Sequence, residues 1–157
     1  MKNVAVRTLL LPLLAAGVAL PAGGPSVTLW TAASMKQWPQ KLASKFSAQG
    51  VATDALGTFG NYRFMAIVRK ASGQAEFHEN DADIMIVQSG DATLITGGTV
   101  INPKTTEPHE IRGSGIQGGR EMRLVPGDVV TVPAKTPHQV KLAPGTEFVY
   151  MTVKVSQ

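Results

Sequence analysis

An all-β barrel carrying one short N-terminal helix is the fold class this sequence predicts, on three observations. From Tyr62 onward apolar and polar residues alternate with period two. Gly 16 and Pro 10 among 157 residues supply the turns that cut this region into about nine short strands. No βαβ unit and no internal repeat interrupts the series, which leaves a barrel.

The chain is long enough for one domain with a sizeable core, divided as 1–22, 23–60 and 61–157. Residues 1–22 read as a secretory signal. Lys2 and Arg7 make a positive start, and the apolar run Leu9 to Leu20, too short for a comfortable membrane span, leads into small residues. The expectation is therefore a secreted or periplasmic protein that no membrane holds once the signal is removed. Without Lys2 and Arg7, thirteen basic and eleven acidic residues leave a formal charge of +2, scattered along the chain. That is no nucleic-acid footprint. Absence of Cys excludes disulfides, thiolate metal sites and a lipoprotein anchor.

Between the signal and the barrel, Val27 to Trp30 is expected as a first edge strand, an edge through which two copies could pair as a homodimer. Ser34 to Ala48 is expected as the helix. Ser34 would cap it, Pro39 sits near its first turn, and Trp38, Leu42 and Phe46 share one face. Gly50 would stop it, and Val51 to Asn61 reads as a loop.

The strands are expected at Tyr62–Arg69, Gln74–His78, Asp83–Gln88, Ala92–Thr96, Thr99–Ile101, Glu121–Val125, Val129–Val132, His138–Leu142 and Glu147–Val155. Ser89-Gly90-Asp91 reads as a hairpin turn. Asn102 to Gly119 reads as a long Gly-rich loop over the barrel mouth, carrying His109 and Arg112.

The stretch Gly127 to His138, GDVVTVPAKTPH, organises the rest. Pro133 and Pro137 rigidify a connection at a strand end and set His138 at a reproducible place. Gly127, Pro133 and His138 fall where the second motif of the cupin family has its Gly, Pro and His, with Lys135 in place of that motif's second Gly. Upstream, Glu76-x-His78, four residues, Asp83, six residues and Gly90 match the spacing of the first cupin motif. There Glu76 replaces a His, and Asp83 is the acid. The chain thus resembles a cupin from about residue 60 to 155, which implies a small β-barrel of jelly-roll type, often metal-binding.

Residues two apart on a strand share a face, so Glu76 and His78 project together. Asp83 would join them if its strand paired with theirs, and the barrel would bring His138 from opposite. Glu76, His78, Asp83 and His138 then offer an N/O donor set suited to Mn, Fe, Ni, Zn or Cu. Glu76 is either a fourth ligand or a general base. The bland alternatives are a Glu76 ion pair with Arg69, Lys70 or Arg63, and an Asp83 cap on the Asn80-Asp81 turn. Met85 and Val140 are expected to line an apolar part of the pocket, and Arg112 to hold a carboxylate group of a small-molecule ligand or to pair with Glu107 or Glu110. His109 reads as solvated. The functional expectation is an enzyme acting on a small organic molecule by metal-assisted oxygenation, isomerisation or lyase chemistry. A non-catalytic barrel that captures a small molecule or stores a metal is the alternative, and a purely assembling barrel a third.

Overall fold

The computed structural model describes residues 27–157; the signal assigned to 1–22 lies outside them. Thirteen strands follow two short helices, α1 (Ala32–Met35) and α2 (Trp38–Lys41), and a 3₁₀ turn (Ala43–Lys45). In chain order they are β1 (Val51–Phe59), β2 (Tyr62–Arg69), β3 (Ala75–His78), β4 (Asp81–Ser89), β5 (Ala92–Thr96), β6 (Thr99–Ile101) and β7 (Lys104–Glu107). Then come β8 (Glu110–Gly113), β9 (Gly115–Gln117), β10 (Arg120–Leu124), β11 (Val129–Val132), β12 (His138–Lys141) and β13 (Phe148–Ser156). One antiparallel sheet has the order β1-β2-β13-β4-β11, the other β10-β5-β12-β3-β8-β7, and β6 pairs with β9 in a small ribbon.

Strand β2 shows how the layers stack. Its last four residues, Ala66 to Arg69, are buried without alternation. A strand loses its alternation when both faces are covered. Ile67 faces the barrel core with Met85, Leu94, Val140, Phe148 and Tyr150. Ala66 and Val68 face the other way, into a second cluster with Trp38, Leu42, Ala52 and Val149. The N-terminal segment is the lid on that outer face. Burying Trp38 and Leu42 there stabilises the fold by about 1.5–3 kcal/mol each.

The expected single helix over Ser34–Ala48 is broken into short pieces. Thr31 caps the first, its hydroxyl accepting from the Ser34 N–H, and the second starts afresh with Pro39 in its first turn. The apolar stripe survives because Trp38 and Leu42 are placed by packing on the sheet. Val27–Trp30 forms no strand. Instead Trp30 stacks on Phe64, ring centroids 4.7 Å apart, and meets Phe59 edge-on.

Two segments read as loops are strands. Val51–Phe59 pairs along all of β2, with an irregularity between Ala55 and Gly57, so the barrel starts at Val51 rather than 61. This strand is the edge of its sheet, and its Ala52 and Leu56 join the outer apolar cluster. Asn102–Gly119 contains β7, β8 and β9, and β8 pairs with β3 rather than arching over the mouth.

The turn at Ser89-Gly90-Asp91 joins β4 of one sheet to β5 of the other, so it is a corner rather than a hairpin. Gly90 makes it feasible. Its φ is +76°, and a side chain there would put Cβ 2.0 Å from the Glu147 carbonyl oxygen. Lys135 takes the left-handed conformation (φ 62°) that the Gly of the motif would adopt freely, and its N–H donates to the His78 carbonyl at 2.7 Å. Among the described residues no helix is long and apolar enough to cross a membrane.

A candidate metal centre between the two sheets

Each member of the cluster is placed by strand register. Glu76 on β3 lies directly across from His138 on β12 and, on its other side, from Arg112 on β8. Asp83 comes from the opposite sheet, where β4 sets it beside Val132 and Lys154. The expected geometry is thus reversed. His138 is the neighbour of Glu76 within one sheet, and Asp83 reaches across from the other. The convergence holds nonetheless: Glu76, His78, Asp83 and His138 each present a ligand atom, all within 4.8 Å of one another.

Both imidazoles are aimed by their outer nitrogens. His138 Nδ1 lies 3.0 Å from the Thr136 carbonyl oxygen, which can only accept, so Nδ1 carries a proton. Its Nε2 is buried and has no hydrogen-bond partner, although Asp83 Oδ2 lies 3.3 Å away. A ring nitrogen facing a carboxylate oxygen at that distance has room for a proton or a metal ion shared between them. His78 Nδ1 is held by Glu110, and its Nε2 lies 3.2 Å from Asp83 Oδ2 and 3.5 Å from Glu76 Oε2. Imidazoles oriented through their second nitrogen, facing carboxylates, are the arrangement of a divalent metal site. The donor set fits such an ion.

The cluster is charged on both signs. Lys154 Nζ is 2.8 Å from Asp83 Oδ1 and 2.7 Å from His78 Nε2. Glu76 Oε1 meets Arg112 at 3.2 Å and Arg69 at 3.4 Å, and Arg112 also pairs with Glu110 at 2.7 Å. Burial works against the ionised form of Glu76, but hydrogen bonding from His78 and the charges of Arg112, His138 and Arg69 hold it at about 2. Asp83, equally opposed by burial, is kept well below the carboxylate range by His138, His78 and Lys154. Burial lowers His78, yet Asp83, Glu110 and Glu76 outweigh both it and Lys154 and raise the imidazole from 6.5 to about 10.

Glu76, Asp83 and His138 line a cavity of about 340 Å³, whose wall also includes Met85, Val140 and Arg112. His109 stays outside, mostly exposed and paired with Glu79 at 2.7 Å. The ion pairs of Glu76 with Arg69 and of Arg112 with Glu110, both read from the sequence as the bland alternatives, are present. The place of Arg69, Lys154, Tyr150 and Glu110 around the cluster was not anticipated. Arg69 shares the inward face of β2 with Met65 and Ile67, and Lys154 shares that of β13 with Tyr150 and Thr152. A charged residue at an inward period-two position was the available signal. Tyr150 was hidden as ordinary core, and Glu110 inside a segment read as loop.

No family model and no curated protein matches the sequence. Solved structures do match. A cupin-2 domain of Rhodospirillum rubrum aligns with a TM-score of 0.51 at 12% identity, over 69% of this chain and 62% of that one. The chain has the cupin fold. A Thermus thermophilus protein superposes on this cupin barrel with a TM-score of 0.54 at 14% identity, covering 74% and 92%. A Thermotoga maritima protein described as a predicted oxalate decarboxylase does so at 0.51 and 14%, covering 68% and 81%. In the cupin barrel of this chain Glu76 stands at the first motif's leading His, and the cluster that could hold a metal is completed by His78, Asp83 and His138.

Proposed function

We propose that this cupin barrel is an exported metal-dependent enzyme acting on a small organic molecule by oxygenation, isomerisation or lyase chemistry. The observation that carries the reading is the set of four converging ligand atoms, with Glu76, Asp83 and His138 also lining a cavity. His78, His138 and Asp83 would hold a divalent ion such as Mn, Fe, Ni, Zn or Cu, with Glu76 as fourth ligand. When bound, the ion supplies a Lewis acid beside the cavity.

The remaining residues position and separate charge. Glu110 and the Thr136 carbonyl fix the two rings. Arg69 and Arg112 anchor Glu76 Oε1, leaving Oε2 toward His78. A carboxylate held at about 2 is a weak proton acceptor at neutral pH, which favours Glu76 as ligand over Glu76 as general base. Neutralising it separates the two roles. Glu76→Gln should lower metal affinity in a titration. Full metal content with abolished turnover would make Glu76 the base instead.

One observation favours a second reading, a metal-free binding barrel. The Lys154 ammonium already pairs with Asp83 and touches His78 without any ion. The export part rests on residues 1–22 alone, and N-terminal sequencing of the protein from its native compartment checks it. An intact Met1 there would refute export.

A further inference from the structure

The cavity wall has a cationic pole that the metal site does not use up. Arg69 is buried, 8% exposed, on the wall of the barrel. A guanidinium offers five N–H donors. Arg69 gives one to the Tyr150 hydroxyl at 2.8 Å and one to Glu76 at 3.4 Å, and the remainder meet no acceptor among the described residues. Gly73 makes the space for it, since a Cβ there would lie 2.7 Å from Arg69 Nη1. Arg112 stands across Glu76 with donors to spare beyond Glu76 and Glu110.

Charge points the same way. Arg69, Arg112 and Lys154 line the cavity with Glu76 and Asp83, and Glu110, paired with Arg112, brings the acids to three. A bound divalent ion would make the site net positive, and buried charge without a counterion is costly. Met65 and Ile67, on the same face of β2 as Arg69, together with Met85 and Val140, supply an aliphatic part of the wall. The volume, about 340 Å³, is at the small end for ligand pockets.

We propose that the cavity takes a small aliphatic carboxylate, its anionic head on the Arg69 and Arg112 guanidiniums and its chain along Met65, Ile67, Met85 and Val140. This deepens the proposed function by naming the substrate class, and rests on that reading for any turnover. Planar guanidiniums suit a carboxylate because they can donate two parallel hydrogen bonds.

Calorimetric titration of hexanoate and of its neutral isostere hexanamide tests it, each into metal-free and into zinc-loaded protein. Hexanoate should bind at least about tenfold more tightly than hexanamide in both states. Arg112→Gln, with circular dichroism confirming the fold, should remove most of that preference; a folded variant that keeps the preference overturns the assignment. Equal affinities for the two probes, or no hexanoate binding, overturns the assignment. Failure of zinc to bind refutes the metal reading instead, and the metal-free titration then still decides the carboxylate.

Discussion

Lys154 lies directly across from Asp83 in the β13–β4 ladder, and its ammonium sits 2.8 Å from Asp83 Oδ1. The pair is nearly buried, with side-chain exposures of 13% and 4%. The same ammonium touches His78 Nε2. A metal bound by Asp83 and His78 must therefore displace a resident cation.

Lys154→Met should consequently act in opposite directions on two measurements. The metal-free protein should lose about 3–5 kcal/mol of stability, because Asp83 is left buried without its partner. Metal affinity should rise, by about tenfold, since the competing charge is gone. Chemical denaturation and metal titration read the two effects separately. Loss of both would mean that Lys154 supports the ligand set rather than competing with it.

Glu110 touches no other member of the ligand set but fixes the ring of His78 through Nδ1. Replacing it by Gln keeps the shape and removes the charge. Metal affinity should fall about 10–100-fold, the usual cost of losing a group that orients a ligand. An unchanged affinity would show that β3 alone orients His78.

The metal-free protein should be most stable between about pH 5 and 6. The folded pKa of His78 is raised above 6.5, so its contribution is complete below 6.5 and is lost as pH rises toward about 10. Glu76, lowered from 4.5 to about 2, contributes above 4.5 and loses that contribution as pH falls toward 2, and Asp83 acts in the same direction. Thermal unfolding across pH checks both limbs. His78→Gln should flatten the alkaline limb, which is on the order of 1–3 kcal/mol once residual solvent screening is allowed for.

Much of this was legible in the sequence because the signals are local. Period two placed Glu76 and His78 on one face, and the Pro133–Pro137 connection fixed the start of β12. Sheet membership was not legible. Nothing local tells whether Asp83 begins a partner of β3 or a strand of the facing sheet, and the Gly90 corner resembles a hairpin turn in composition. Strand β1 was missed because Thr53, Asp54, Gly57 and Thr58 interrupt its apolar residues. Strand β8 was missed because Pro108 and the glycines around it mimic a loop, so Glu110 was read only as a partner of Arg112. Lys154 was the avoidable omission, and Arg69 was read only as a partner of Glu76, although inward parity on β2 and β13 could be read from Met65, Ile67, Tyr150 and Thr152.

The central claim is that Glu76, His78, Asp83 and His138 form one divalent-metal site. Metal content of the purified protein, measured beside the His78→Ala/His138→Ala double variant, tests it most directly. The account predicts about one divalent ion per chain in the unaltered protein and none in the variant, whose two carboxylates are a poor set for a borderline ion. Stoichiometric metal retained by the double variant would contradict it.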